Sequence, residues 1–353
     1  MNRKIPFSEE ELRVVDKGPE FFGRPGADIL NTAVTPRENV SAMFWDKDPY
    51  WLSMPGEIAG FNIPFYNKLL GRGGPEGTVD AFGIQWEYVP SARGSIVHPG
   101  APFLSSANEW PDKIQFPELD EIYWETEVKT AAKPDLRFSQ QTTFTNGFWF
   151  ERLISFMDFA PAATALVDED QQDAVKSLFR ASTDFACKLV DKVFHYFPFL
   201  DGINIHDDWG AQKNPFFSLD IAYDMFVPFM RDLTDHIHSY GRYVTLHSCG
   251  NNEKRTQCFI DGGFDEWDPQ VMNDTQAMYE QYGEGIILGV VPDPFDPETT
   301  SLEEQRARAR AHVDKFCRPG KVSTLGHYAG VMLTPAFKEE VYVYSRKKFG
   351  GSL

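Results

Sequence analysis

One feature constrains this chain more than any other. From about residue 136 onward it alternates short β-type runs with longer stretches of helical periodicity. Leu136 to Thr143, Gly202 to His206, Arg242 to His247, Phe264 to Trp267, Ile286 to Val290 and Val322 to Leu325 read as strands. Helical patterns run over Phe148–Phe159, Asp168–Tyr196, Ser218–Tyr240 and Glu253–Ile260. Asn273 is placed to cap a further helix, Ser301 with Glu304 forms a capping box, and Thr334-Pro335 opens the last helix. Strands separated by helical crossovers pair in parallel, so the fold class is α/β.

Where the polar residues fall narrows the architecture. His206-Asp207-Asp208-Trp209, His247-Ser248-Cys249, Asp265-Glu266-Trp267-Asp268, Pro292-Asp293 and His327 all follow strands rather than precede them. In a (β/α)8 TIM barrel those ends converge on the one face where sites are built. An open doubly wound sheet also binds ligands at strand ends, but no Gly-x-Gly-x-x-Gly follows a strand here, and the barrel is preferred. Residues 1–130 read as an irregular, Gly- and Pro-rich extension packed on the barrel together with its first elements. Within it Thr35-Pro36-Arg37-Glu38 is a capping box and Gly83 to Val89 a short strand. Residues 131–353 carry the main part of the barrel, the whole being one structural domain.

Composition limits what such a barrel can act on. A net charge of −18 disfavours nucleic acid and anionic membranes as partners. No apolar run spans a membrane, no signal region opens the chain, and four cysteines suit a reducing compartment, so a cytoplasmic location is expected.

His247-Ser248-Cys249 is the sharpest chemical motif. Residues two apart on a strand point the same way, so an imidazole and a thiolate reach one ion, and mixed N and S donors favour zinc. A third ligand is open between His327, just past the last strand, Cys317, at a helix end expected at the opposite pole, and a carboxylate such as Glu151. His327 is preferred. Cys187 and Cys258 lie in helical patterns and read as core. Asp207 and Asp208 are catalytic candidates, and only one of the pair can point into the barrel mouth. Phe148, Glu151, Trp209, Gln212, Trp267 and Gln270 are candidates for substrate contact, the aromatic ones as walls for a flat ligand.

Asp207-Asp208-Trp209-Gly210-x-Gln212, Leu246-His247-Ser248-Cys249-Gly250-Asn251 and Trp267-x-Pro269-Gln270 resemble the uroporphyrinogen decarboxylase superfamily, and more closely its corrinoid-dependent methyltransferase branch. The likeness is continuous from about residue 140 to 345. Thr35-Pro36-Arg37-Glu38-Asn39 and Asp80-Ala81-Phe82-Gly83-x-x-Trp86 are similar to the aryl methyl ether O-demethylases of the vanillate or veratrol type. The resemblance implies a zinc site on His247 and Cys249. Many members take a third, cysteine ligand after the last strand, where this chain has His327. It also implies a function: an aryl methyl ether gives its methyl group to the Co(I) corrinoid of a partner protein, with Asp207 or Asp208 orienting the substrate or protonating the phenolate. The alternatives are a metal-free uroporphyrinogen-decarboxylase-like enzyme, a methyltransferase for methanol or methylamine, and a non-catalytic binding barrel. The arginine-rich motif by which the decarboxylases grip a polycarboxylate is not present, and Arg37 alone does not replace it.

Overall fold

The computed structural model describes residues 5–18, 28–70, 72, 77–90 and 94–351. Seven strands make the main sheet: β1 (Ile58–Gly60), β2 (Ser139–Phe144), β3 (Gly202–His206), β4 (Tyr243–His247), β5 (Glu266–Trp267), β6 (Ile287–Val290) and β7 (Ser323–Leu325). They hydrogen-bond in the order β7-β6-β5-β4-β3-β2-β1, and the pairs β2–β3, β3–β4, β4–β5 and β6–β7 are parallel. Just before β1, Ser53 bridges Thr324 of β7 in parallel. Just after it, the Phe61 amide donates to Gln141 of β2. The fold is α/β, of the TIM-barrel class, with seven parallel strands among the described residues rather than the eight expected.

The expected strand at Gly83 to Val89 exists as Gln85–Val89, but it belongs to a separate antiparallel sheet with Thr78–Val79 and Gly94–Val97. Asp80 organises that sheet. Its carboxylate accepts from the Phe82 and Ile84 amides and the Trp86 indole, and pairs at 3.0 Å with buried Arg152.

The chain divides into two compact units. One comprises Met1–Ala59, Asp135–Ser139 and Tyr279–Leu353. In it the helices at Leu302–Phe316 and Pro335–Gly350 close a core of Leu52, Val313, Cys317, Leu325, Phe337 and Val341. Thr35 forms the expected capping box with Glu38, and Thr334 caps the last helix. Arg346 is fully buried against Glu11 at 2.8 Å. Asn39 and Glu57 lie in a second buried polar knot, where Glu57 accepts from the Trp51 indole, the Asn39 amide and the Ser53 hydroxyl.

The other unit comprises Gly60–Pro134 and Gln140–Met278 and holds β3, β4 and β5. Its helices include α1 (Phe150–Met157), α2 (Gln172–Tyr196) and α3 (Val227–Ser239). Ile203, Ile205, Val244, Leu246 and Trp267 are buried on one face of the strands, as period-two alternation requires. Asn204, His206, Thr245, His247 and Glu266 occupy the other. Gly202 is required where it stands, because a Cβ there would lie 2.2 Å from the Tyr243 ring.

Two helix boundaries depart from the sequence expectation for identifiable reasons. The single helix expected over Ser218–Tyr240 is two, Leu219–Met225 and Val227–Ser239, broken at Phe226. Pro228, at the start of the second, has no amide proton to continue the first. Asn273 does not cap the helix that begins at Thr275; the Asp274 carboxylate accepts the Ala277 amide instead. The Asn273 side chain is engaged elsewhere, with the Asn252 amide and the carbonyls of Gly250 and Gln270.

Candidate metal centre

The strand ends of β3 and β4 lie side by side, with His206 directly paired to His247 in the register. Both side chains therefore project on one face, and their rings stack at 4.2 Å with 28° between planes. Two residues beyond His247, Cys249 returns to the same side. His247 Nε2 lies 3.2 Å from Cys249 Sγ and 3.8 Å from Asp208 Oδ1. One ligand atom from each of Asp208, His247 and Cys249 falls within 4.8 Å of the others.

Backbone geometry fixes this cluster. The Cys249 amide donates to Asp208 Oδ1 at 2.8 Å, tying the β4 loop to the β3 loop. Gly250 has φ +87, and a Cβ there would meet the Gly210 carbonyl oxygen at 2.1 Å. The two loops thus touch backbone to backbone where the motifs place glycine. Gln270, on the β5 loop, accepts the Gly250 amide at 2.8 Å and directs Nε2 toward Cys249 Sγ at 3.5 Å. Ser248 turns away to bind the Trp209 amide and the Asn252 side chain.

Electrostatics agree with a cation-binding role. Burial pushes the Cys249 thiol up to about 12, and Asp208 beside it adds to the effect. Burial lowers His247, against the pull of Asp208. Burial, then His247 and Arg72, take His206 down to about 2, so both imidazoles are neutral. A neutral imidazole, a thiol that needs a cation to ionise and a carboxylate make an S, N, O donor set. That set suits zinc held by three protein ligands with a fourth position open.

The structure sorts the two aspartates. Asp208 belongs to the cluster. Asp207 is completely buried and faces the other way, accepting the Phe150 amide at 3.3 Å, the Glu151 amide at 2.9 Å and the Trp209 indole at 2.7 Å. The residue at the N-cap of α1, Trp149, offers no side-chain cap, and Asp207 supplies one from a different strand. Burial raises its pKa to about 8 despite those donors. Its geometry is that of a brace, not of a group facing a substrate.

Other candidates separate in the same way. Trp209 and Trp267 are wholly buried, packed on Phe217, Phe226 and Phe259 on the helix side of the strands. They position the loops rather than line a cavity. Phe148 is buried edge-on against Phe144, and Gln212 is exposed. Glu151 is buried and ion-paired with Arg72. His327 lies just after β7, in the unit that does not hold the cluster, and is not part of the described group of three. Cys317 is core, and Cys187 and Cys258 lie in helices.

Arg72 escaped the sequence reading. It is one arginine in a glycine-rich stretch, with no motif to single it out. Its charge acts on Asp208 and Cys249, and its Nε and Glu151 Oε2 are buried without hydrogen-bond partners among the described residues.

No protein-family model matches this chain, and no curated protein matches it by sequence. Among solved structures it is similar to a methyltransferase from Methanosarcina mazei, at 14% identity and a TM-score of 0.55 over 90% of this chain and 99% of that one. Weaker likenesses are a xylose isomerase-like TIM barrel protein from Mycobacterium smegmatis in complex with magnesium and an IolI protein with a bound zinc atom. The first has 12% identity and a TM-score of 0.28, covering 61% of this chain and 72% of that one; the second 10% and 0.29, covering 66% and 84%.

Proposed function

We propose that this chain is a zinc-dependent methyltransferase that removes the methyl group of an aryl methyl ether and passes it to the Co(I) corrinoid of a partner protein. The observation that carries the reading is the Asp208–His247–Cys249 cluster at the ends of adjacent parallel strands. It occurs on a fold shared along nearly its full length with a methyltransferase.

Zinc held by His247, Cys249 and Asp208 would supply a Lewis acid at the ether oxygen, making phenolate a better leaving group. The residues around it do the rest. Asp208 and Gln270 fix the thiolate, one through the Cys249 amide and the other at sulfur. His206 stacks on His247 and stays neutral, which keeps the ring oriented without adding charge. Arg72, held by Glu151, acts electrostatically on Asp208 and Cys249, and beside them its charge would offset the negative charge that develops on oxygen. When its carrier protein docks, the corrinoid would supply the Co(I) electron pair that accepts the methyl group, while the aryl oxygen would keep the pair of the broken C–O bond and take a proton from solvent. The acceptor protein would dock at the strand ends, where the cluster lies.

The test is methyl transfer to free cob(I)alamin from a panel of methoxylated benzenes and phenols under strict reduction, with zinc-loaded protein. Loss of the cob(I) absorbance with stoichiometric phenol, abolished in Cys249→Ala, is expected. Transfer from methanol or methylamine but from no aryl ether would replace the substrate class. No transfer from any donor, with zinc bound, would defeat the reading.

A further inference from the structure

We infer that Glu266 anchors the substrate: its carboxyl group donates a hydrogen bond to an oxygen atom of the ligand held above it at the strand ends. This rests on the methyl-ether reading and adds to it the residue that recognises an oxygen-bearing ring.

Thr143 pairs with Asn204, Asn204 with Thr245 and Thr245 with Glu266, so these four form one row across β2 to β5. His206 and His247 form the next row up, two residues along each strand, roughly 6.6 Å higher. Barrel interiors are ordinarily filled by Val, Ile and Leu, which makes a row of two threonines, an asparagine and a glutamate anomalous. Asn204, Thr143 and Glu266 are moreover only half-buried, so the row borders open space instead of a packed plug.

Most of the row is already engaged. Gln141 and Asn204 both donate to Thr245 Oγ1, at 2.9 and 2.7 Å. Glu266 differs: among the described residues its carboxyl group has no hydrogen-bond partner and no cation beside it. The charges acting on it are Asp265 and Asp268 of its own segment, while the titratable groups one row up are His206 and His247. Asp265 is turned to the helix side, where it pairs with His238 of α3 and accepts the Val244 amide. Burial and the two neighbouring aspartates raise the Glu266 pKa well above the ordinary value. A carboxyl group that keeps its proton is a hydrogen-bond donor in search of an acceptor. An ether or phenol oxygen meets that need; an alkylammonium does not.

Veratrol (1,2-dimethoxybenzene) is the probe, because it does not titrate. Its binding to zinc-loaded wild type, Glu266→Gln and Glu266→Leu is measured calorimetrically across pH, alongside methyl transfer to cob(I)alamin. Glu266→Leu should weaken binding roughly tenfold, the worth of one hydrogen bond in a closed site. Glu266→Gln, which still donates, should stay within about threefold and lose the fall in affinity that wild type shows as pH rises through ionisation of Glu266. Wild type that binds and demethylates veratrol, with Leu and Gln variants matching it in affinity and pH dependence, overturns the anchor alone. A preference for methylammonium over veratrol that is lost in Glu266→Leu overturns the donor assignment. Wild type that neither binds nor demethylates any aryl ether overturns the substrate reading and the anchor with it.

Discussion

Replacing each of two adjacent aspartates by asparagine should separate the fold from the site. At Asp207 the best an amide can do is put its oxygen at the Oδ2 position, keeping the Phe150 amide and the Trp209 indole. Its NH2 group then faces the Glu151 amide, donor against donor at 2.9 Å. Even a protonated carboxyl can accept there through its hydroxyl oxygen; an amide nitrogen cannot. With the site fully buried, the lost bond and the unpaired N–H should cost about 2 kcal/mol, within a range of about 1–3. At Asp208 the only described backbone donor is the Cys249 amide, which an asparagine oxygen still accepts, so stability should change by less than about 0.5 kcal/mol. Zinc affinity should fall at least tenfold, because an amide oxygen is a weaker ligand than a carboxylate. The assay is urea unfolding in EDTA at pH 7, paired with zinc competition against a chromophoric chelator. Asp207→Asn should shift the midpoint without changing the slope and keep its zinc; Asp208→Asn should do the reverse. The opposite pattern, stability lost at Asp208 and zinc lost at Asp207, would refute the assignment of brace and ligand.

Further outcomes follow from the structure. Atomic emission should find one zinc per chain in wild type and none in Cys249→Ser. In wild type, zinc at a hundredfold over its Kd should add about 2.7 kcal/mol to unfolding stability. Because the metal-free thiol is pushed up to about 12 and His247 is already neutral, zinc binding should release one proton at pH 7, and buffers of different ionisation enthalpy would reveal a second if the assignment is wrong. Gly250→Ala forces a Cβ to 2.1 Å from a carbonyl oxygen at φ +87; it should cost at least about 2 kcal/mol and weaken zinc tenfold or more, and a variant with native affinity would show that the two loops are not held by this contact. Burial raises Glu57 to about 7, so the native state holds a proton that the unfolded chain releases near pH 4.5; wild-type stability should decline relative to Glu57→Gln as pH rises from about 4.5 to about 7 and then level off, and a wild type that holds level with or gains on Glu57→Gln over that range would contradict this.

The fold class and half of the site were legible because both are written in short-range pattern. Period-two alternation over Gly202 to His206 and Tyr243 to His247 is visible without a structure, and it dictates that His247 and Cys249 share a side. What could not be read depends on which loop touches which. Asp207 and Asp208 are equivalent in sequence; only the packing of α1 against the end of β3 decides that the first is consumed as a helix cap. The same holds for Trp209 and Trp267, whose side of the strand is fixed by alternation but whose burial depends on Phe217, Phe226 and Phe259 brought in from helices and loops. Arg72 carries no pattern at all.

The polar row beneath the cluster was also legible in principle, from alternation and register. Glu266 stands out in the sequence only as part of Asp265-Glu266-Trp267-Asp268 at a strand end, and Thr143 and Thr245 belong to no motif, so nothing short-range joins the row. A barrel that needed only stability would have placed branched apolar residues there. Keeping a carboxyl group in that row, flanked by Asp265 and Asp268, costs stability that nothing in the described structure returns. Polar groups retained against that cost tend to be retained for a ligand. The same reasoning applies one row higher, where burial and the Asp208 charge hold the Cys249 thiol protonated until a cation arrives. Two adjacent rows are therefore each incomplete in a complementary sense, the upper lacking a positive charge and the lower lacking an acceptor. A metal ion with an oxygen-bearing ring below it would satisfy both.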